Sequence, residues 1–336
     1  MISKWGTIKE DLTLKSKIKQ FLMYYIGKFH IYKISEKPII IFANRRGGST
    51  LIMEMLASQE GTDFIGEPLT LWHFGPFFGC LPHPPLGCFI SLSNQEKEIL
   101  KKFFDALLSG NKRGRNNWNP FRPDYHFFVK RLIVKINCAN SIIDFFSEKF
   151  DANILYFVRH PFPIALSCMR LGWGNCVQAF LLNDHFCSEI IGEQRAREAW
   201  RIWEKGGDFQ KYVLEWCLEN FYALSQVQKR SWLTITYEEL VARTPQVATL
   251  LSERFHLPDV DAMKKVINRP SRTSTSESRT EIREQGPCAI LERWREKISE
   301  TDLRQGQDVL DVMNITDYQA DLIYPSSRLC HFGPLN

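Results

Sequence analysis

The chain has 336 residues, 44% of them hydrophobic and 24% charged, the balance of a globular protein with one large domain or two small ones. Its 43 basic and 38 acidic residues leave a net charge of +5. That suits a small anionic ligand and, with no lysine-rich tail and no arginine run interleaved with aromatics, argues against a nucleic-acid surface. Nine scattered cysteines with no C-x-x-C pair argue against both a disulfide framework and a zinc site, and point to a reducing, cytoplasmic setting.

In chain order, residues 1–36 read as an N-terminal helical extension. Its apolar stretch Phe21–Ile26 is too short to span a bilayer, so packing on the domain is expected and stable membrane insertion is not. Residues 38–43 predict a buried strand, followed by a helix to about Ser58 and a short strand over 63–65. From 69 to 90 the chain is rich in Gly, Pro and aromatics, the composition of a lid or binding loop. An amphipathic helix is expected over 96–108, a polar segment over 111–124, a strand over 127–136 and a helix to Lys149. Residues 153–158 predict a further strand, and 161–170 a helix whose prolines fall in its first turn. No element is assigned to 171–208. A long helix over 209–229, a strand over 231–236, two short helices near 237–255, a polar Arg/Ser/Thr stretch over 269–280 and helices within 289–313 complete the pattern. Strands alternating with helices imply an α/β fold with a central parallel sheet covered on both faces.

The segment Asn44-Arg45-Arg46-Gly47-Gly48-Ser49-Thr50 sits between the first buried strand and its helix. Backbone N–H groups at a helix start can surround an anion, and the peptide dipoles favour it there. Glycines permit the tight turn, and Arg46 offers a cationic fork suited to phosphate or sulfate. The lysine of a nucleotide-triphosphatase loop is absent, as is the G-x-G-x-x-G of a dinucleotide fold.

Arg46-Gly47-Gly48-Ser49-Thr50 resembles the 5′-phosphosulfate loop, [RK]-S-G-[ST]-[ST], of sulfotransferases that use 3′-phosphoadenosine 5′-phosphosulfate (PAPS), with Gly47 where serine is common. The segment Asn153–Ser167 resembles the 3′-phosphate motif of the same family: an apolar strand, then Arg159, a polar residue, Pro161, and Ser167. Tyr237-Glu238-Glu239-Leu240, with Pro245 beyond, resembles the element whose tyrosine lies against the adenine. Arg272, Ser274 and Arg279, ahead of Trp294-Arg295, fall where many members place a loop over the 3′-phosphate. The resemblance covers roughly 38–66, 127–170 and 231–300. It leaves 69–125 and 171–208 as acceptor-side insertions within one sulfotransferase domain spanning 1–336. It implies a three-layer fold like that of P-loop NTPases.

The resemblance further implies transfer of a sulfuryl group from PAPS, a co-substrate, to a hydroxyl or amine of a small-molecule acceptor. Adenosine 3′,5′-bisphosphate would be released without a metal. Arg46 is expected to clamp the phosphosulfate together with Gly47, Gly48, Ser49 and Thr50. Arg45 has three readings: a phosphosulfate contact, a surface residue, or a side chain directed to the acceptor. Arg159 and Ser167 would hold the 3′-phosphate, although a salt bridge at the helix start also fits Arg159. For Tyr237 a plain core role stands beside the adenine contact, and for Arg272 and Ser274 a solvated loop. The family's K-x-H unit corresponds to Lys135-Ile136-Asn137, so its histidine base is an asparagine here. Glu67, placed as in some bacterial members, is the expected base, with a strand-end carboxylate paired to an arginine as the alternative. His73 and His83 are runners-up, and Lys135 is either a charge for the leaving group or a solvated strand residue. A secondary-metabolite acceptor is favoured. A carbohydrate or glycolipid sulfotransferase, a P-loop small-molecule kinase and a catalytically inactive nucleotide-binding scaffold are the alternatives.

Overall fold

A computed structural model describes residues 31–69, 80–84, 87–112, 126–269 and 276–335. The central sheet is built from β2 (Ile39–Ala43), β3 (Thr62–Gly66), β5 (Arg131–Asn137), β6 (Asn153–Val158) and β7 (Leu233–Thr236), in the order β3-β5-β2-β6-β7. All four pairings are parallel. The register aligns the carboxyl ends: Ala43 stands beside Asn137 and Phe157, Gly66 beside Lys135, and Val158 beside Thr236. Strand order reverses at β2, so the crevice for a ligand opens beyond its carboxyl end.

The strands are apolar throughout because both faces are covered. Successive side chains alternate between faces. Ile40 and Phe42 pack into one core, Ile39 and Ile41 into the other. The first core takes residues from α2 (Asn94–Leu108), α3 (Ile143–Lys149), α4 (Pro161–Arg170), α7 (Asp208–Gln226) and the helix Glu300–Val312. The second takes them from α1 (Ser49–Leu56), α8 (Tyr237–Ala242), α9 (Thr244–Phe255) and α10 (Val260–Ile267). The result is the expected three-layer α/β arrangement. Each fully buried Ile or Phe of β2 contributes about 1.5–3 kcal/mol.

Four segments differ from the sequence reading. Residues 31–36 are not helical: Ile31–Tyr32 forms β1, which pairs in parallel with Phe128–Val129, β4, in a separate two-stranded sheet. Residues 1–30 lie outside the described residues. The single strand expected over 127–136 is therefore two, β4 and β5. At the break, the N–H groups of Lys130 and Arg131 both donate to the Gly61 carbonyl, while the Lys130 carbonyl accepts from Ser35 and Glu36. Between 171 and 208 lie α5 (Val177–Leu181), a π-helical turn at Phe186–Ile190, and α6 (Glu193–Lys205). The buried side of α6 is mostly alanine, Ala196 and Ala199 with Ile202, a faint apolar signal. Helix α10 was also not expected; Asp259 caps it by accepting the Ala262 N–H.

Candidate active site

Every strand of the central sheet delivers a candidate residue at its carboxyl end: Glu67 after β3, Lys135 and Asn137 in β5, the 44–50 loop after β2, Arg159 after β6 and Tyr237 after β7. The loop turns through left-handed backbone at Arg46 (φ 61°) and Gly48 (φ 86°) before α1 begins. The Gly47 N–H donates to Asn44 O at 3.1 Å, closing the turn. Gly48 has two reasons to be glycine. Its φ disfavours any L side chain, and a Cβ there would lie 2.4 Å from Cδ2 of Tyr237. At position 47 a Cβ would meet Asn44 O at 3.1 Å, so glycine there avoids a tight contact.

Arg46 and Ser167 meet directly. Nε of Arg46 donates to Oγ of Ser167 at 3.0 Å, joining the loop to the second turn of α4. Arg159 reaches the same place from β6, with Nη1 3.4 Å from the Arg46 carbonyl oxygen and its guanidinium 4.1 Å above the Tyr237 ring centre. The Arg159 carbonyl is fixed from behind by the indole N–H of Trp216 at 3.0 Å. Burial, with Arg159 and Arg170 as like charges, lowers the Arg46 pKa, Cys168 opposing. Among the described residues, neither Arg46 nor Arg159 forms an ion pair with an acidic side chain. Arg170 was missed by the sequence reading. Its signal is spacing: three residues after Ser167 on α4, it shares that face of the helix.

Arg45 departs from the expected nucleotide contact. Its Nη2 donates to Glu215 Oε1 at 2.8 Å and to the Gly174 carbonyl at 3.2 Å. Glu215 also accepts the Cys176 N–H at 2.7 Å. One turn along α7, Glu219 accepts from the Asn44 side chain. Burial raises the pKa of both carboxyls, against the pull of Arg45. Arg45 thus anchors the loop to α7, a role that a sequence motif does not show. Trp173, with 37% exposure, packs its ring near both guanidinium groups, 5.8 Å from that of Arg45 and 5.9 Å from that of Arg46.

Tyr237 is 6% exposed and lies between Gly48 and Arg159; burial raises its pKa, Arg159 opposing. His160, the polar residue of the second motif, is structural. It caps α4 by accepting the Phe162 N–H, stacks on Trp294, and is held neutral by burial with a pKa near 3. Glu238, beside Tyr237, accepts the His160 N–H at 2.9 Å, and burial pushes it up to about 7.

On the other side of the loop, Lys135 bridges two motifs. Its Nζ is 3.3 Å from Thr50 Oγ1 and 2.8 Å from Glu67 Oε1. Asn137 Nδ2 donates to the same carboxylate oxygen at 2.9 Å. Among the described residues Glu67 pairs with a lysine. Its backbone is left-handed, φ 51°, and its N–H donates to the Lys135 carbonyl at 2.7 Å. A non-glycine residue held this way is strained, and the strain is maintained by its neighbours. The Glu67 side chain is 37% exposed against 8% for Lys135, so the carboxylate is the solvent-facing member of the pair. His83 is exposed. His73, Arg272 and Ser274 lie outside the described residues. Among the described residues no group of three or more His, Cys, Asp or Glu could hold a metal ion, and no helix is long and apolar enough to cross a membrane.

Solved structures similar to this one include sulfotransferases. The sulfotransferase domain from the curacin biosynthetic pathway aligns with a TM-score of 0.46 at 15% identity, over 84% of this chain and 99% of that one. The sulfotransferase domain of the Synechococcus PCC 7002 olefin synthase aligns at 0.44 and 17%, over 85% and 96%. A mouse sulfotransferase complexed with PAP aligns at 0.38 and 12%, over 88% and 89%. No family model matches the sequence, and no curated protein matches it.

Proposed function

We propose that the protein is a PAPS-dependent sulfotransferase acting on a hydroxyl or amine of a small-molecule acceptor. The observation that carries this is the convergence of Arg46 and Arg159 at the N-terminus of α1, with Arg159 held to the Arg46 carbonyl, Arg46 held to Ser167, and no acidic partner for either arginine among the described residues. Two like charges drawn together at the positive end of a helix repel one another, and a bound anion offsets that repulsion. A Lys135 committed to Thr50 and Glu67 beside this anion site suits a sulfuryl donor better than a magnesium triphosphate. The triphosphate reading would call for a loop lysine in the 44–50 segment, and there is none.

In this reading Arg46 and the backbone N–H groups of the loop hold the phosphosulfate, while Arg159 and Ser167 hold the 3′-phosphate. Glu67 accepts the proton of the acceptor as its oxygen or nitrogen attacks sulfur. The bond from sulfur to the 5′-phosphate oxygen breaks in line, and the electron pair leaves on that phosphate. Lys135 stabilises the departing charge and orients Glu67. A secondary metabolite is the favoured acceptor class, with 69–125 and 171–208 forming the acceptor side and the cytoplasm as the setting.

Incubation with sulfur-labelled PAPS and a panel of alcohols, phenols and amines tests the activity. Label transferred in step with release of adenosine 3′,5′-bisphosphate is the expected result. Tight bisphosphate binding with no transfer to any acceptor would instead identify a catalytically inactive nucleotide-binding scaffold.

A further inference from the structure

The oxygen of the Asn137 side chain has a place in the site that the proposed chemistry does not yet use. Asn137 is 8% exposed, and its Oδ1 is buried without a hydrogen-bond partner. The orientation of the amide is fixed by its neighbour: Nδ2 faces the Glu67 carboxylate, which needs a donor, so Oδ1 is the unpaired atom. A buried acceptor left unpaired is costly, and in native proteins such a group takes a partner from the protein, an ordered water or a ligand. Oδ1 belongs to the same amide that touches Glu67, so it lies within roughly 5 Å of the base oxygen. Glu67 in turn is tied through Lys135 to Thr50 of the phosphate loop. The orphan acceptor therefore stands beside the position where the nucleophile is deprotonated.

We infer that the acceptor carries two neighbouring hydrogen-bond donors, as in a vicinal diol or amino alcohol. One is the nucleophile, which gives its proton to Glu67, and the other donates to Asn137 Oδ1. This deepens the proposed function and rests on it. A substrate with a lone hydroxyl leaves Oδ1 unpaired in a site closed by substrate. A site built around a hydrogen bond discriminates strongly against the analogue that lacks the donor.

The test uses two matched pairs, catechol with phenol and trans-cyclohexane-1,2-diol with cyclohexanol, as acceptors for labelled PAPS. Binding of adenosine 3′,5′-bisphosphate is measured on the same preparation. In each pair the diol is expected to show kcat/KM about 10- to 100-fold above the mono-alcohol, after correction for its two hydroxyls. In Asn137→Leu that ratio is expected to fall towards one, whatever the overall rate. Equal use of both members by the native protein, or an unchanged ratio in Asn137→Leu, would overturn the inference. Turnover of none of the four compounds by a protein that binds the bisphosphate would overturn it as well and leave the donor assignment standing. Failure to bind the bisphosphate would overturn the donor assignment itself. If Asn137→Leu does not fold, the ratio in the native protein decides alone.

Discussion

Replacing Arg159 by alanine separates a ligand-binding cation from a structural one. The guanidinium makes a long hydrogen bond to the Arg46 carbonyl, lies over Tyr237, and has no acidic partner among the described residues. Its gains in the ligand-free protein are therefore small. A partly exposed cation–π contact is worth about 0.5–1 kcal/mol, and the nearby Arg46 charge, which Arg159 depresses in pKa, works against it. A phosphate at about 4 Å attracts the same group by about 4 kcal/mol at an effective dielectric of 20. Truncating one partner of such a charge pair costs about 2–5 kcal/mol of binding. Arg159→Ala is thus expected to weaken adenosine 3′,5′-bisphosphate by about 30- to several-thousand-fold, measured by calorimetric titration. Its unfolding free energy without ligand should stay within about 1 kcal/mol of the native value in urea. A structural arginine would give the reverse pattern. Unchanged bisphosphate affinity would refute the 3′-phosphate assignment, as would a loss of affinity fully accounted for by unfolding.

Glu67→Gln should lower the transfer rate by about 10²–10⁴ while leaving bisphosphate affinity intact, since glutamine can still accept from Lys135 and Asn137 but takes no proton; an equal rate would place the base elsewhere. Gly48→Ala brings a Cβ to 2.4 Å from the Tyr237 ring at φ 86° and is expected to cost about 1–3 kcal/mol of stability, read as a lower Tm. A variant with native Tm and native bisphosphate affinity would show that the loop is not held against Tyr237. Glu238 has its pKa raised from 4.5 to about 7 by burial, so its favourable contribution is full below about pH 4.5 and is lost as pH rises through 7. Glu238→Gln should therefore gain on the native protein by about 3 kcal/mol between pH 4 and pH 8, measured by denaturant unfolding. A difference independent of pH would remove the buried carboxyl from the stability of this corner.

The strands and the loop were legible because local chemistry dictates them. Ile39–Phe42 and Ile154–Val158 are apolar on both faces, and the two glycines follow directly at the turn. The break at Lys130 was not legible, because it depends on a carbonyl at Gly61 brought close only by the folded sheet. Helix α6 hid behind alanines and charged residues. In the candidate site, Arg46, Arg159, Ser167 and Glu67 were named from pattern, yet the links between them come from strand order. Glu215 and Glu219 fall within the helix expected over 209–229, but only the fold sets them against Arg45 and Asn44. The missing histidine was visible at Asn137, but its bond to Glu67 was not, since 70 residues separate the two.

The central claim is that the arginine-lined loop binds a 3′,5′-bisphosphate nucleotide, and calorimetric titration of the native protein with adenosine 3′,5′-bisphosphate, ADP and magnesium-ATP tests it most directly. Micromolar binding of the bisphosphate without magnesium, with ADP and magnesium-ATP markedly weaker, is the expected result. A preference for magnesium-ATP, or no binding of the bisphosphate, would contradict the claim.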